Sequence, residues 1–131
     1  PAQVSEVRWA ASMAIRPVEW RNGAVVLLDQ RLLPTREVYR VCRDHREVVQ
    51  GIKDMVVRGA PAIGVAAAMG IALATQKMRD ADLQRGFERV CRLFANSRPT
   101  AVNLTWAVDR MRRAYGRHRG RPAEIVREVL R

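Results

Sequence analysis

The segment MVVRGAPAIGVAAAMGIALA, residues 55–74, decides how this chain is organised. It joins an apolar run to a helix through an arginine, a glycine and a proline: Arg58, Gly59 and Pro61. Glycine lets the backbone turn or approach a ligand closely, and proline suits the first helical position because the missing N–H has no partner there. We therefore predict a helix from about Pro61 to Met78 whose N-terminus forms an anion site together with Arg58.

Part of this segment also fits a phosphate-binding loop, in which two glycines at a fixed spacing precede lysine and then serine or threonine. Gly59 and Gly64 have that spacing, but Val65 and Ala66 stand where the motif needs its lysine and its hydroxyl. The pattern thus argues against a nucleotide triphosphatase. A structural interpretation competes with the anion site: a small-residue turn leads into a tightly packed helix, and Arg58 is merely solvated.

The composition is that of one folded and strongly basic domain. The chain has 131 residues, 48% of them hydrophobic, which suffices for a core of its own. The formal net charge is +11, and nearly all of the cations are arginines. Such a charge suits RNA, a phosphorylated metabolite or an acidic partner, and composition does not choose among these three.

The cysteines and the apolar segments indicate an intracellular protein without a metal. Cys42 and Cys91 stand far apart in apolar patterns, so we expect reduced core thiols and neither a redox pair nor a zinc site. The start of the chain shows no secretory signal pattern, and residues 60–74 are fewer than the roughly 20 that span a bilayer. We expect a cytoplasmic protein that does not enter the membrane.

The N-terminal third predicts a small antiparallel sheet. Two β-rich runs, residues 18–20 and 24–29, flank Asn22-Gly23, the dipeptide typical of a two-residue hairpin turn. Residues 38–42 are a candidate for a third strand. We assign residues 14–43 to a β-rich subdomain.

From Asp44 onward the apolar residues recur at helical spacing. Asp44 and Glu47 form a capping-box pattern ahead of the first helix. The predicted helices begin near Asp44, Pro61, Asp80, Pro99 and Pro122. We expect Gly116 to end the fourth helix and residues 116–122 to form a basic linker. Residues 44–131 then form a helical bundle, and the fold class is α+β.

A second site suited to phosphate lies in Ser97-Arg98-Pro99-Thr100. Arg98 stands beside a turn fixed by proline, hydroxyls flank it, and a helix begins just after. The competing interpretation is a capped helix start with an exposed arginine. Arg58 and Arg98 would act together only if the fold brings the N-terminal ends of their helices together.

The other polar and aromatic candidates favour structural roles. His45 and His118 have no partners at the spacing of a metal site or a catalytic triad. Asp29, Asp54 and Asp109 are interpreted as solvated or ion-paired, and Trp9, Trp20 and Trp106 as core anchors. The arginines of residues 110–121 lack interleaved aromatic residues, so we expect a solvated helix end and no specific nucleic-acid binding.

Three segments in order resemble the methylthioribose-1-phosphate isomerase family: EWRNGAVVLLDQRLLP (19–34), residues 55–74, and SRPTAVNLTWAVDRM (97–111). The likeness runs from Ile15 to about Met111 and corresponds to the N-terminal part of that family. The family is related to the regulatory subunits of eukaryotic initiation factor 2B and to the ribose-1,5-bisphosphate isomerases. The first segment favours the methylthioribose enzyme.

The resemblance implies an aldose-ketose isomerisation in methionine salvage, from 5-methylthioribose 1-phosphate to 5-methylthioribulose 1-phosphate, without metal or cofactor. It implies that Arg58, Gly59, Ala60 and Arg98 bind the substrate and that the full-length protein is a homodimer. The family's catalytic cysteine and aspartate belong to a C-terminal Rossmann-like domain that is absent from this chain. No catalytic residue is therefore expected here, and the chain alone is expected to be inactive.

Two alternatives stay open beside this interpretation. One is a non-catalytic, basic interaction module related to the initiation-factor subunits. The other is a ribose-1,5-bisphosphate isomerase.

Overall fold

The structure, a computed structural model, describes residues 5–7, 17–118 and 121–129. The strands are β1 (Ser5–Val7), β2 (Val18–Arg21), β3 (Ala24–Leu28) and β4 (Tyr39–Cys42). The helices are α1 (His45–Lys53), α2 (Ala60–Thr75), α3 (Leu83–Ala95), α4 (Val102–His118) and α5 (Pro122–Val129). A small antiparallel sheet followed by helices is an α+β arrangement, and the predicted fold class is confirmed.

The sheet has the strand order β1-β4-β3-β2, and all its pairs are antiparallel. The predicted hairpin turn is confirmed: Asn22 and Gly23 have φ of 52° and 75°, and Arg21 pairs with Ala24. Two positive φ values in a two-residue loop match the twist of the flanking strands, which explains the Asn-Gly pair. The third strand is confirmed as β4. Strand β1 was not predicted, and it lies N-terminal to the region 14–43.

Strand β3 is buried on both faces of the sheet. Val25 and Leu27 join the core that the helices share, whereas Val26 and Leu28 face a second cluster with Tyr39 and Val41 of β4. A strand buried on both sides loses the alternation of apolar and polar residues, and AVVLL shows none. The sheet therefore forms a layer within the molecule, and the helices cover one face of it.

Helix α2 is the centre of the helical layer. It packs against α1, α3, α4 and α5 and against strands β2 and β3. Its sequence is apolar all round, as a helix with neighbours on several sides requires. The Phe94 ring fills the space beside Gly70, where an added Cβ would lie 2.3 Å from Cζ. None of the helices in the described ranges is both long and apolar enough to cross a membrane.

The helices on either side of α2 present the predicted apolar faces. In α1 the capping box between Asp44 and Glu47 is present, with both reciprocal hydrogen bonds. For α3, helical spacing in the sequence predicts a buried face, and the structure confirms its residues: Leu83, Phe87, Val90, Cys91 and Phe94. The helical spacing of Val48, Ile52 and Met55 in the sequence predicts that Met55 lies on the buried face of the first helix, and this prediction is wrong. Helix α1 ends at Lys53, and Met55 has φ of 65° and is 43% exposed.

The two C-terminal helices differ from prediction at the junction between them. Gly116 does not end α4, which continues to His118, so the predicted basic linker is partly helical. The local reason is that Gly116 is helical in backbone conformation and needs no left-handed φ. Helix α5 begins at Pro122 as predicted, and the Ile125 side chain is fully buried in the shared core.

Candidate anion-binding site

The start of α2 has the features that an anion site needs. Gly59 is the N-cap and has φ of 94° and ψ of 131°, a conformation that residues with a Cβ adopt only with strain. No side chain caps the first turn of α2 in the described structure. The N–H groups of that turn and the positive end of the helix dipole are therefore open to a ligand.

Arg58 lies on the rim of a groove beside this helix start. The groove has a volume of about 400 Å³. Its lining consists of Pro17, Val18, Arg58, Gly59, Pro61, Ala62 and Val65. Arg58 is exposed and, among the described residues, is the one charged residue in that lining. A single guanidinium at the mouth of an otherwise apolar groove suits a ligand with one anionic group and an apolar remainder.

The second predicted site residue, Arg98, lies in the connection between α3 and α4. Its Nη1 atom is buried and has no hydrogen-bond partner among the described residues. Buried polar groups are nearly always paired, so an unpaired guanidinium nitrogen marks a place where a ligand is expected. The Ser97 hydroxyl does not cap α4, because it donates to the Phe94 carbonyl oxygen at 2.6 Å.

The N-terminal ends of α2 and α4 lie side by side. A Cβ added at Gly64, in the second turn of α2, would lie 3.5 Å from the backbone oxygen of Asn103, in the first turn of α4. The helices that follow Arg58 and Arg98 therefore start next to each other. This is the arrangement on which joint action of the two arginines depends.

The structure does not bring all four predicted residues into one cavity. Arg58 and Gly59 line the groove, whereas Ala60 and Arg98 are absent from its lining. Ala60 is the first residue of α2 and is exposed. Pro17 and Val18 line the groove too, and sequence reasoning missed them. They lie far from Arg58 along the chain, and no local pattern marks them as neighbours of that site.

The strongest competing candidate, Asp29, is a structural carboxylate. It is fully buried and accepts hydrogen bonds from Arg31 Nε at 2.9 Å and from Arg40 Nε at 3.0 Å. Burial alone would raise the pKa of Asp29, but the bonds from Arg31 and Arg40 outweigh it and lower the pKa. An ionised carboxylate that two arginines hold is a poor general base. Of the two predicted alternatives for Asp29, solvated or ion-paired, the structure shows the ion pair.

The remaining titratable candidates also have local partners. Asp54 accepts from Gln50 at 2.9 Å, and Asp109 lies 3.6 Å from Arg112. His118 lies 2.8 Å from Glu128, and burial is the main cause that lowers the pKa of His45. Within the described ranges, no three His, Cys, Asp or Glu side chains are grouped as metal ligands would be.

The two cysteines are confirmed as core thiols. Cys42 and Cys91 are both free and fully buried. Burial raises the pKa of each thiol to about 12. A thiol with so high a pKa is protonated at neutral pH and is no nucleophile.

Two interpretations of α4 need correction. Trp106 is not a core anchor, since 64% of it is exposed, whereas Trp20 does pack against the core and Trp9 lies outside the described residues. Arg112 is not simply solvated, because its guanidinium binds Glu88 of α3 at 3.2 Å. The positive field of Arg110 to Arg121 is thus partly neutralised by neighbouring carboxylates.

Comparison with known proteins now identifies the family. The model described as the Initiation factor 2 subunit family matches residues 56–130. The chain belongs to this family. The matched region contains Arg58, Gly59, Ala60 and Arg98, and it begins just before the turn into α2.

Curated relatives carry the name of the enzyme that the three segments resemble. Methylthioribose-1-phosphate isomerase of Geobacter sulfurreducens is 47% identical over 123 residues, which are 91% of this chain and 35% of the relative. The enzyme of the same name from Syntrophus aciditrophicus is 51% identical over 110 residues, 82% of this chain and 30% of the relative. The predicted resemblance is confirmed. The chain spans about a third of the length of these relatives.

The chain is similar to solved structures of both an isomerase and an initiation-factor subunit. The chain superposes on 5-methylthioribose 1-phosphate isomerase from Pyrococcus horikoshii with a TM-score of 0.78 and 38% identity, covering 88% of this chain and 33% of that one. It also superposes on the delta subunit of translation initiation factor eIF-2B from A. fulgidus, with a TM-score of 0.77 and 34% identity. That match covers 89% of this chain and 34% of the subunit.

Proposed function

We propose that this chain is the N-terminal, substrate-binding part of an isomerase that converts 5-methylthioribose 1-phosphate to 5-methylthioribulose 1-phosphate in methionine salvage. The observation that carries the proposal is the pair of arginines at adjacent helix starts, of which one is exposed on a groove and one has an unpaired buried nitrogen. The names of the curated relatives support the choice of substrate.

The charges and the shape of the site support a sugar phosphate as ligand. A phosphate carries about −1.5 to −2 at neutral pH and offers three acceptor oxygens. Arg58 and Arg98 supply planar donor forks, and the open N–H groups at Gly59 and Ala60 supply further donors. The apolar lining of the groove, which includes Pro61 and Val65, suits the sugar and its methylthio group.

This part of the enzyme binds the substrate, and another part supplies the catalytic groups. The described residues offer positioning by arginines and backbone, while Asp29, Cys42 and Cys91 are each buried, and none of them lies in the groove. Proximity and orientation accelerate a reaction only where an acid-base group is present as well. The catalytic groups then come from the two thirds of the enzyme that this chain does not match, in a protein that we expect to be a cytoplasmic homodimer.

A chimera tests the proposal directly. The chain replaces the matched 123 residues of the Geobacter sulfurreducens relative, and isomerisation of 5-methylthioribose 1-phosphate is followed. We expect turnover in the chimera, and its loss to one tenth or less in Arg58→Ala and Arg98→Ala chimeras. The 131-residue chain alone is expected to bind the substrate weakly and to turn none over.

The matched control is Arg113→Ala, an exposed arginine on α4 that has no ion pair in the described structure. It should leave turnover unchanged. A folded chimera without turnover, beside an active parent enzyme, would contradict the proposed role. Turnover of ribose 1,5-bisphosphate in preference to the methylthio sugar would move the assignment to the other isomerase.

A second candidate function is an interaction module like the initiation-factor subunit. The observation in its favour is the exposed apolar surface at the start of α4, where Val102 is 58% and Trp106 is 64% exposed. Large exposed aromatic side chains are typical of contact surfaces between proteins. If this function is the correct one, Trp106→Ala abolishes assembly with a partner, and Arg58→Ala has no effect on that assembly.

A further inference from the structure

A second cleft lies at the opposite end of α2 from Arg58. The segment after α2, the start of α1 and one face of α3 enclose it, and its volume is about 610 Å³. That volume is in the range of small-molecule sites, about 300 to 1,000 Å³. Its cationic lining residues are Lys77, Arg79, Arg85 and Arg89. The sequence patterns did not single out any of these residues.

The charge of this basic cleft is unbalanced. Beside the four cations, its lining has two carboxylates, Asp44 and Asp82, and the balance is +2 when His45 is neutral. Asp44 is already held by Arg46, outside the cleft, at 3.0 Å. A concave surface with one dominant sign of charge focuses the potential and attracts ions of the opposite sign.

The arginines of the cleft lack the partners that other arginines of the chain have. Seven arginines outside the cleft bind carboxylates: Arg21, Arg31, Arg40, Arg46, Arg112, Arg117 and Arg127. The side chains of Arg79, Arg85 and Arg89 form neither a hydrogen bond nor an ion pair in the part of the chain that the structure describes. Arg85 and Arg89 are also four residues apart on α3, where like charges repel each other. A bound anion would relieve that repulsion.

The rest of the lining is apolar. Ala74, Met78 and Val90 lie beside the cations, and Gly86 leaves space next to the Met78 side chain. An inorganic ion would leave these surfaces in water, whereas a ligand with an apolar ring would cover them. Both the charge and the lining therefore favour an organic phosphate over a free ion.

We propose that the basic cleft binds a small phosphate monoester with an apolar or aromatic moiety. A phosphate group with a charge of about −1.5 to −2 balances the lining. Arg85 and Arg89 bind the phosphate, and the moiety packs on Met78 and Val90. This site is separate from the groove at Arg58, and the proposal stands whether or not the chain belongs to an isomerase.

The test is an NMR titration of the chain with phenyl phosphate at physiological salt. We expect saturable shifts centred on the amides of Gly86 and Arg89. Arg85→Ala and Arg89→Ala should each weaken binding about tenfold, as the loss of a charge-assisted hydrogen bond does. Asp82→Asn should strengthen binding several-fold, since it removes a repulsive carboxylate.

Three variants make the result specific to this cleft. Arg113→Ala, on α4, and Arg58→Ala, at the groove, should both leave the affinity unchanged. Arg89→Lys keeps the charge without the planar fork and should give an intermediate affinity. Circular dichroism checks the fold of each variant, and Arg85→Gln replaces any alanine variant that is unfolded.

Several results would overturn the proposal. They are an equal loss of affinity in Arg113→Ala, shifts centred on Gly59 in place of Gly86, and the absence of saturable binding. Displacement of phenyl phosphate by single-stranded RNA at a lower concentration than by inorganic phosphate would mark the cleft as a nucleic-acid surface and would equally overturn it.

Discussion

Helices α2 and α4 start side by side, each after a loop that carries an arginine, yet they are stabilised differently. Helix α2 has neighbours on almost every side, and Gly70 admits the Phe94 ring against its backbone. Helix α4 buries one face only, and none of the described neighbouring side chains packs against Gly116. Glycine thus permits close packing in α2, whereas in α4 it only lowers the stability of the helix.

The largest expected effect is that of Gly70→Ala. The new Cβ would lie 2.3 Å from Phe94 Cζ and 3.1 Å from Val48 Cγ1, and Phe94 is fully buried. Overpacking of a rigid core costs about 1 to 3 kcal/mol, and the close contact places this variant near the upper limit. Urea unfolding of the chain measures the loss.

Gly64→Ala is the control for that variant, because its Cβ would meet Asn103 at ordinary distances of 3.5 Å or more. The double variant Gly70→Ala with Phe94→Leu should regain part of the lost stability. An unchanged stability in Gly70→Ala would mean that α2 is packed no more tightly than α4.

The next effect concerns the arginines that precede the two helices. In the chimera, Arg58→Ala and Arg98→Ala should each weaken substrate binding by about 1.5 to 3 kcal/mol, or one to two decades in affinity. Arg58→Lys should retain only part of the substrate affinity, because an ammonium group lacks the planar donor fork of a guanidinium. A substrate titration at fixed salt measures these losses of affinity. An equally large loss in Arg113→Ala would show that the arginines attract the substrate only through their general positive charge.

The two arginines should differ in their effect on stability. Arg98 is half-buried and Arg58 is exposed, so only Arg98→Ala removes side-chain packing. We expect Arg98→Ala to lower the free energy of unfolding measurably and Arg58→Ala to leave it within about 0.5 kcal/mol of the parent. Equal free energies of unfolding in the two variants would show that the packing of the Arg98 side chain does not stabilise the fold.

Gly116→Ala should stabilise the chain. Alanine is favoured over glycine in a helix interior by about 1 kcal/mol. No atom of a neighbouring element among the described residues lies within 4 Å of the Cβ that the variant would add. Thermal or urea unfolding measures the gain, and a loss of stability in its place would show that this face of α4 is packed as closely as α2.

The smallest effect concerns the ion pairs that join α4 to α5. Arg117 and then His118 bind Glu128 and lower its pKa to about 2 from an ordinary value of 4.5. A carboxylate whose pKa is lowered by folding contributes stability above about pH 4.5 and loses that contribution as the pH falls towards 2. Stability curves of the parent and of Glu128→Gln should therefore converge in this window, and parallel curves would contradict the pairing.

Local patterns in the sequence predicted most of the fold. The Asn22-Gly23 turn, the capping box of Asp44 and the apolar spacing of α3 are each decided by neighbours within a few residues, so they can be read without the tertiary structure. Other features depend on a distant partner, and local patterns did not predict them. Strand β1 exists through its pairing with β4, and Arg112 is bound by Glu88 of another helix.

For the candidate site, the sequence by itself determined the chemistry. Arg58, Gly59 and Arg98 stand at helix starts because glycine and proline fix those starts locally, and the resemblance of three segments identified the family that the comparison then confirmed. Only the tertiary structure decided that the starts of α2 and α4 are adjacent, that Pro17 and Val18 complete the groove, and that four cations enclose a second cleft. Local sequence sets backbone conformation and side-chain charge, whereas proximity between distant segments depends on how the buried faces pack together.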